Sequence, residues 1–170
     1  LVAIQRTAEP KIDRKRILIF AADHGVEEEG VSLYPREVTK AMVLNFLHGG
    51  ATINALARHI DAEVQVVDVG VDGDFAGDKR LFHAKVRRGT RNMVQEPAMT
   101  EEELHQALTV GWDAVHRAKA EGVELLALGE MGIANTTAAS AVIAALSRAS
   151  VDSVTGRGTG LEDARLQHKI

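Results

Sequence analysis

The sequence predicts an α/β fold with a doubly wound, mainly parallel sheet and helices on both faces. Continuous apolar runs at Arg16–Ala22, Ala62–Val71 and Val123–Leu128 are typical of parallel strands buried on both sides. Segments with the apolar spacing of helices lie between these runs. Because parallel strands are joined by right-handed crossovers, we expect the connecting helices to cover both faces of the sheet.

The helices are predicted from spacing and from their end signals. Glu37–Leu47 has apolar residues at helical intervals, and Gly49-Gly50 separates it from a second helix. The longest helix, Thr100–Ala120, begins with a capping box formed by Thr100 and Glu103. Large apolar residues are predicted to form its buried stripe: Leu104, Leu108, Trp112 and Val115.

Composition narrows the possible functions. A net charge of −4 and only 4% aromatic residues argue against a nucleic-acid partner. The absence of cysteine excludes disulfides and thiolate chemistry. No apolar run approaches the roughly 20 residues that a bilayer-spanning helix needs, so we expect a cytoplasmic protein with no membrane partner. The chain starts at Leu1 and ends at Ile170 inside a predicted helix, which indicates missing flanks.

Three unusual loops follow the three predicted strands: Asp23-His24-Gly25, Asp72–Asp78 and Gly129–Thr137. Because ligands of open α/β sheets bind at the carboxyl ends of the strands, we expect these loops to meet at one edge. Asp23 and His24 supply too few ligands for a metal site. The favoured interpretation is that Asp23 orients the backbone and His24 lines a pocket, and no metal is predicted.

The stretch Gly129–Thr137 carries the most information about function. It lies between an apolar run and the alanine-rich run Ala138–Leu146, which predicts a strand, a tight turn and a helix. Unpaired N–H groups and the helix dipole favour phosphate at such a turn. Glu130 would place a carboxylate beside that phosphate. The alternative is an ordinary turn, in which Asn135 or Thr136 only caps the helix.

A second glycine-rich stretch, Thr155–Gly160, allows the backbone to approach an anion closely. Arg157 or Lys169 can add positive charge there. A mobile surface loop is the alternative for this stretch. Two such bends in one chain favour a phosphoribosyl or nucleotide site. The basic loop Arg87–Asn92 is expected either to be solvated or to contact a phosphate or a partner subunit.

In combination, these motifs resemble the nicotinate-nucleotide–dimethylbenzimidazole phosphoribosyltransferase family. The resemblance extends over nearly the whole chain in the family's order. It is carried by these runs: Ala22–Val26, Glu29–Ser32, Tyr34-Pro35, Val38-Thr39, Met42-Val43, Asn45–Ala51, Val67–Val71, Gly89–Met93, Pro97–Thr100, Gly129–Thr137 and Gly156–Gly160.

The resemblance implies transfer of the phosphoribosyl group of nicotinate mononucleotide to 5,6-dimethylbenzimidazole. The products are α-ribazole 5′-phosphate and nicotinate, in the assembly of the cobalamin nucleotide loop. It also implies a homodimer that needs no metal or redox cofactor. Residues 1–170 would then be the core part of a single α/β domain, with the small-domain and C-terminal segments missing.

Roles for individual residues follow from the same resemblance. The phosphoribosyl group is expected to contact one set of residues: Met131, Gly132, Ile133, Ala134, Asn135, Thr136, Gly156, Arg157, Gly158, Thr159 and Lys169. The base is expected to contact another set: Asp23, Ser32, Tyr34, Pro35 and Met42. Glu130 is expected to support catalysis, because the family's main glutamate lies in a segment beyond Ile170.

One departure from the family pattern concerns Ala134, where the family usually has glycine. If the turn needs a positive φ at this position, alanine strains it.

Two other functions also fit the residues alone. One is a nucleotide or sugar-phosphate hydrolase that uses Asp23 and Glu130 on water, and the other is a nucleotide-binding fragment without catalysis.

Overall fold

Four parallel strands form the centre of the molecule in a computed structural model, which describes residues 1–75 and 77–170. The strands are β1 (Lys15–Ala22), β2 (Ala62–Gly70), β3 (Leu81–His83) and β4 (Leu125–Met131), and their order in the sheet is β3-β2-β1-β4. The predicted parallel sheet is therefore confirmed, although β3 was not predicted. Ala76, inside the predicted loop Asp72–Asp78, lies outside the described residues.

Helices connect and flank the strands. They are α1 (Val2–Gln5), α2 (Glu37–Leu47), α3 (Thr52–His59), α4 (Glu101–Ala120), α5 (Asn135–Ser147), α6 (Val151–Val154) and α7 (Asp163–Lys169), with a 3₁₀ turn at Gly25–Glu29. The predicted break between α2 and α3 is present. No helix within the described ranges has the length and apolar character to cross a membrane.

The central strand β1 is buried on both faces of the sheet. Ile17 and Ile19 belong to a core cluster with Ala57 of α3, and the next residue of that face, Ala21, packs with Val43 of α2. The alternate residues of β1 point to the opposite face. There Phe20 lines a cavity together with residues of α4. Helices therefore cover both faces, as the sequence predicts.

The predicted start of α4 is confirmed in atomic detail. Thr100 Oγ1 accepts a hydrogen bond of 3.2 Å from the Glu103 backbone N–H, and Glu103 Oε2 accepts one of 2.8 Å from the Thr100 backbone N–H. Each side chain thus satisfies the backbone donor of the other residue.

The predicted buried stripe of α4 is wrong, because its members are exposed: Leu104, Leu108, Trp112 and Val115. A stripe of small residues faces the sheet instead, and Ala114 and Ala118 are its buried members. The two stripes have the same period and are offset around the helix axis. Leu108 is exposed but also lines the cavity between α4 and the sheet, together with Ala107 and Gly111.

Strand β4 also departs from its predicted position. It covers Leu125–Met131 rather than 123–128, and its register pairs Phe20 of β1 with Glu130. Glu130 is therefore the penultimate residue of a strand and not a member of the turn. Because β4 pairs only with β1 among the described strands, it is an edge of the sheet, and Leu125 and Leu128 are exposed there.

Candidate active site

The loops that follow the strands meet at the carboxyl edge of the sheet, as predicted. Asp23, directly after β1, is 1% exposed, and its Oδ2 accepts a hydrogen bond of 2.7 Å from the Asp72 backbone N–H. Its carbonyl oxygen accepts another, of 3.0 Å, from Thr90. Asp23 therefore connects its own loop to the loops that contain Asp72 and Thr90, which confirms the interpretation that it orients the backbone.

The turn between β4 and α5 packs tightly against the end of β1. A Cβ atom on Gly132 would lie 2.3 Å from the carbonyl oxygen of Ala22 and 2.9 Å from Nε2 of His24. Only glycine fits this position without displacing the backbone of β1. Two residues later, Ala134 has φ 68° and ψ 6°, in the left-handed region. Alanine is therefore strained here, as the comparison with the family pattern anticipated.

The N–H groups of this turn are less available than the sequence predicts. Three of them already donate hydrogen bonds within the protein: Ile133 to Thr39 Oγ1, Asn135 to the Gly132 carbonyl and Thr137 to the Ala134 carbonyl. The expectation of several unpaired donors is wrong for these groups. The alternative of a side-chain cap is not supported either, because the N-cap residue Ala134 has no capping group. An anion at this site depends mainly on a side chain.

That side chain is Lys169, which is 7% exposed. Its Nζ donates hydrogen bonds of 2.8 Å to Thr136 Oγ1 and 3.0 Å to the Gly156 carbonyl. A Cβ atom on Gly158 would lie 2.7 Å from Thr136 Oγ1 and 3.3 Å from Lys169 Nζ. The two glycine-rich bends and the lysine thus form one cluster, which we call the Lys169 cluster (Thr136, Gly156, Gly158 and Lys169).

The charge of Lys169 is not balanced by a carboxylate in the described part of the chain. Burial lowers the pKa of its amine below the ordinary value, because desolvation disfavours the charged form. A buried cation with only neutral oxygen partners is costly unless an anion accompanies it. The cluster therefore has the chemistry of an anion site.

The second glycine-rich bend also reaches the predicted base-binding segment. Thr159 Oγ1 accepts a hydrogen bond of 3.3 Å from the Leu33 backbone N–H. His168 Nε2 lies 2.7 Å from the Glu29 carbonyl oxygen, so α7 is anchored beside the same segment. The Arg157 guanidinium bonds to Asp163 and to the Leu161 carbonyl, so Lys169 rather than Arg157 provides the charge within the cluster.

Glu130 lines a cavity of about 370 Å³ on the face of the sheet that α4 covers. The cavity is lined by Phe20, Ala22, His24, Val69, Ala107, Leu108, Gly111, Glu130, Met131 and Asn135. Burial raises the pKa of the Glu130 carboxyl, and hydrogen bonding with Asn135 partly opposes this shift. Burial also lowers the pKa of His24, while the nearby Asp23 charge acts in the opposite direction. Burial therefore favours the neutral form of both side chains.

The first turn of α5 connects these two parts of the site. Asn135 lines the same cavity as Glu130, and the next residue, Thr136, bonds to Lys169. Met131 packs against the core on the α2 face, so its side chain points away from Glu130. Ile133 and Ala134 are buried beneath the turn. A carboxylate and a cation therefore flank one helix terminus.

The predicted base-binding residues are only partly brought together. Ser32 Oγ accepts a hydrogen bond of 3.3 Å from the Tyr34 N–H, and the side chains of Tyr34 and Pro35 are exposed beside it. Asp23 is buried below the loops, and Met42 is half-buried on α2. Within residues 1–75 and 77–170, none of these five lines the Glu130 cavity.

Sequence reasoning missed Thr39, which is fully buried on α2 and accepts the Ile133 N–H at 3.0 Å. A hydroxyl residue on the buried face of an amphipathic helix was the available signal.

The basic loop is largely engaged inside the protein: Arg91 pairs with Glu103 at 2.6 Å, and Asn92 donates to Glu29 at 2.6 Å. In the part of the chain that the structure describes, no three His, Cys, Asp or Glu side chains are grouped so that they could hold a metal ion.

Comparisons with known proteins decide the family. A family model described as phosphoribosyltransferase matches residues 1–170. The chain belongs to the nicotinate-nucleotide–dimethylbenzimidazole phosphoribosyltransferase family. A relative of that name from Geobacter sp. (strain M21) is 55% identical over 99% of this chain and 48% of its own length. Another, from Chlorobium chlorochromatii, is 53% identical over 95% of this chain and 46% of its own.

Solved structures agree with this assignment. The crystal structure of CobT from Thermus thermophilus matches with a TM-score of 0.94 and 51% identity, over 98% of this chain and 50% of that chain. The fold predicted from the sequence is therefore that of the family. This chain spans about half the length of the curated relatives that it matches.

Proposed function

We propose that this chain supplies the phosphoribosyl-binding part of an enzyme that transfers phosphoribose from nicotinate mononucleotide to 5,6-dimethylbenzimidazole. The observation that carries the proposal is Lys169, a buried cation whose two hydrogen-bond acceptors are neutral. The 5′-phosphate of the nucleotide supplies the missing negative charge. Family membership supports the same donor and acceptor, because the relatives carry that enzyme name.

The phosphoribosyl group binds where the two glycine-rich bends meet at Lys169. Lys169 and the Thr136 hydroxyl bind the phosphate, and the backbones of Gly156 and Gly158 allow a close approach. Gly132 and Ala134 act through the shape of the turn. Arg157 closes the second bend on itself and does not contact phosphate in this proposal.

The transfer exchanges one carbon–nitrogen bond for another at the anomeric carbon. The ring nitrogen of nicotinate is cationic in the donor, so it leaves with the electron pair of the broken bond as a neutral pyridine nitrogen. A nitrogen of the benzimidazole attacks the same carbon from the opposite side, which inverts its configuration. The azole proton is then released to a base. Positioning and proton removal are the main requirements for this reaction.

Glu130 supports proton removal from the edge of the site. Its carboxyl has a raised pKa, which makes it a better proton acceptor than an ordinary glutamate. The segment Ser32–Pro35, joined to the second bend through Thr159 and Leu33, forms one wall for the aromatic acceptor. We also place Asp23 and Met42 on the acceptor side of the site, where Asp23 acts by fixing the loop at Asp72.

We also propose a homodimer that works in the cytoplasm and needs no metal or redox cofactor. The chemistry supports the last point, since the donor is already activated by its cationic ring nitrogen and no electrons are exchanged.

Nicotinate release tests the proposed reaction. The protein at its full natural length is incubated with nicotinate mononucleotide, with and without dimethylbenzimidazole, and free nicotinate is measured. We expect release to depend on the benzimidazole and α-ribazole 5′-phosphate to appear in equal amount. Equal release in both samples would identify a hydrolase instead.

A further inference from the structure

The side chain of Thr39 joins α2 to the middle of the β4–α5 turn. Thr39 is 0% exposed, and its Oγ1 accepts a hydrogen bond of 3.0 Å from the Ile133 backbone N–H. Without this hydroxyl, the buried N–H group of Ile133 would lose its partner. Such a loss costs more than the hydrogen bond itself contributes, because the donor has been removed from water.

The turn needs this support because its backbone is strained at Ala134, one residue after Ile133. Ala134 has φ 68°, a conformation that residues with a Cβ rarely adopt. Strained backbone persists only where the surrounding structure holds it in place. Gly132 is held at one end by its close packing against Ala22 and His24. Thr39 holds Ile133, which directly precedes the strained Ala134.

The position of this turn determines the position of Thr136, the hydroxyl partner of Lys169. Asn135 and Thr136 are the first residues of α5, and they follow Ala134 directly. If Ala134 relaxed to a negative φ, the start of α5 would be redirected and Thr136 would move relative to Lys169.

We infer that Thr39 is a positioning residue, whose hydroxyl keeps the strained turn in the shape that places Thr136 beside Lys169. This inference rests on the proposed phosphate site. Thr39 touches no substrate in this arrangement.

Isosteric substitution tests the inference. Thr39→Val keeps the shape of the side chain and removes the hydroxyl, whereas Thr39→Ser keeps the hydroxyl. Both are made in the protein at its full natural length, and the affinity for nicotinate mononucleotide is measured by calorimetry together with thermal unfolding. We expect binding about two- to tenfold weaker for Thr39→Val, and within about twofold of the starting protein for Thr39→Ser.

A second substitution separates positioning from a general structural role. Ala134→Gly removes the strain, so a turn containing glycine needs Thr39 less. In that background we expect Thr39→Val to weaken binding by less than about twofold. Equal weakening in both backgrounds, or a loss of thermal stability with unchanged affinity, would overturn the inference. If Thr39→Val alone does not fold, a folded Thr39→Val/Ala134→Gly protein supports the inference and an unfolded one contradicts it.

Lys169→Met distinguishes the failure of this inference from failure of the proposed function. If Lys169→Met binds the nucleotide as tightly as the starting protein, the proposed phosphate site is wrong. If Lys169→Met loses binding while Thr39→Val keeps it, the phosphate site stands and the role of Thr39 is wrong.

Discussion

Lys169 Nζ lies 2.8 Å from Thr136 Oγ1, and this contact joins the last turn of α7 to the first turn of α5. The two residues are 33 positions apart, and each belongs to a different glycine-rich part of the site. A hydroxyl and a carbonyl share the amine, and within residues 1–75 and 77–170 no carboxylate balances its positive charge. Replacing Lys169 by an uncharged residue should therefore weaken ligand binding without lowering the stability of the unliganded protein.

Lys169→Met should weaken the binding of nicotinate mononucleotide by roughly 10- to 150-fold, the range for a lost hydrogen bond to a charged group. Calorimetry in the protein at its full natural length measures this change. Lys119→Met, at an exposed position of α4, is the matched control and should bind normally. Unchanged affinity in Lys169→Met would remove the lysine from the site.

The same substitution should leave the unliganded protein equally stable or more stable. The pKa of Lys169 is lowered on folding, so the unfolded chain binds more protons at pH values between the folded pKa and 10.5. Below that window the penalty of the buried charge is fully present, and it fades as the pH rises through the window. Melting curves at neutral and alkaline pH should show the melting temperatures of Lys169→Met and of the starting protein converging toward pH 10.5. A large loss of stability at neutral pH would contradict this.

Gly132→Ala should destabilise the protein by about 1–3 kcal/mol, because the new Cβ would overlap the Ala22 carbonyl oxygen. Gly129→Ala is the matched control on β4, since its Cβ would meet its nearest atoms at an ordinary 3.8 Å. Denaturant unfolding of both variants measures the difference. Similar stability for the two variants would show that the turn does not depend on this close approach.

The strands could be predicted because their burial is visible in the sequence as continuous apolar runs. β1, buried on both faces, is the clearest case. β3 has only three residues, Leu81–His83, which is too short for a pattern to emerge. The exposed stripe of α4 shows another limit: hydrophobic periodicity favours Leu108 and Trp112, whereas the buried residues are Ala114 and Ala118. Periodicity predicts the helix, but it does not identify which of its faces is buried.

The candidate site was predictable to a similar extent. The two glycine-rich bends and Lys169 were named from the sequence and from the family resemblance, and the structure brings Thr136, Gly156 and Lys169 together. The engagement of the Ile133 N–H was not predictable, because its acceptor is Thr39, far away in the sequence. Glu130 was placed in the turn because the length of β4 was underestimated. Contacts between distant segments decide these details.

Ala134→Gly should stabilise the protein by about 1 kcal/mol, since glycine adopts φ 68° without the penalty of a Cβ. Ala141→Gly, at an exposed interior position of α5, is the control and should destabilise by about 1 kcal/mol. Denaturant unfolding of the two variants should therefore give shifts of opposite sign. Destabilisation by both would show that residue 134 is not strained.

Glu130→Gln should lower kcat by about tenfold or more, because it removes a proton acceptor and keeps the shape of the side chain. The carboxyl pKa is raised above 4.5, so the active carboxylate is lost as the pH falls through that raised value. The rate of the starting protein should therefore decline on the acid side, and Glu130→Gln should flatten this decline. Steady-state rates measured from about pH 4, near the ordinary pKa of a glutamate, up to about pH 8 record both effects. Glu102→Gln, at an exposed position in the first turn of α4, provides a matched loss of charge without a change in the pH profile. An unchanged acid limb in Glu130→Gln would assign the proton transfer to another residue, and Glu130 would then serve only to orient Asn135 at the start of α5.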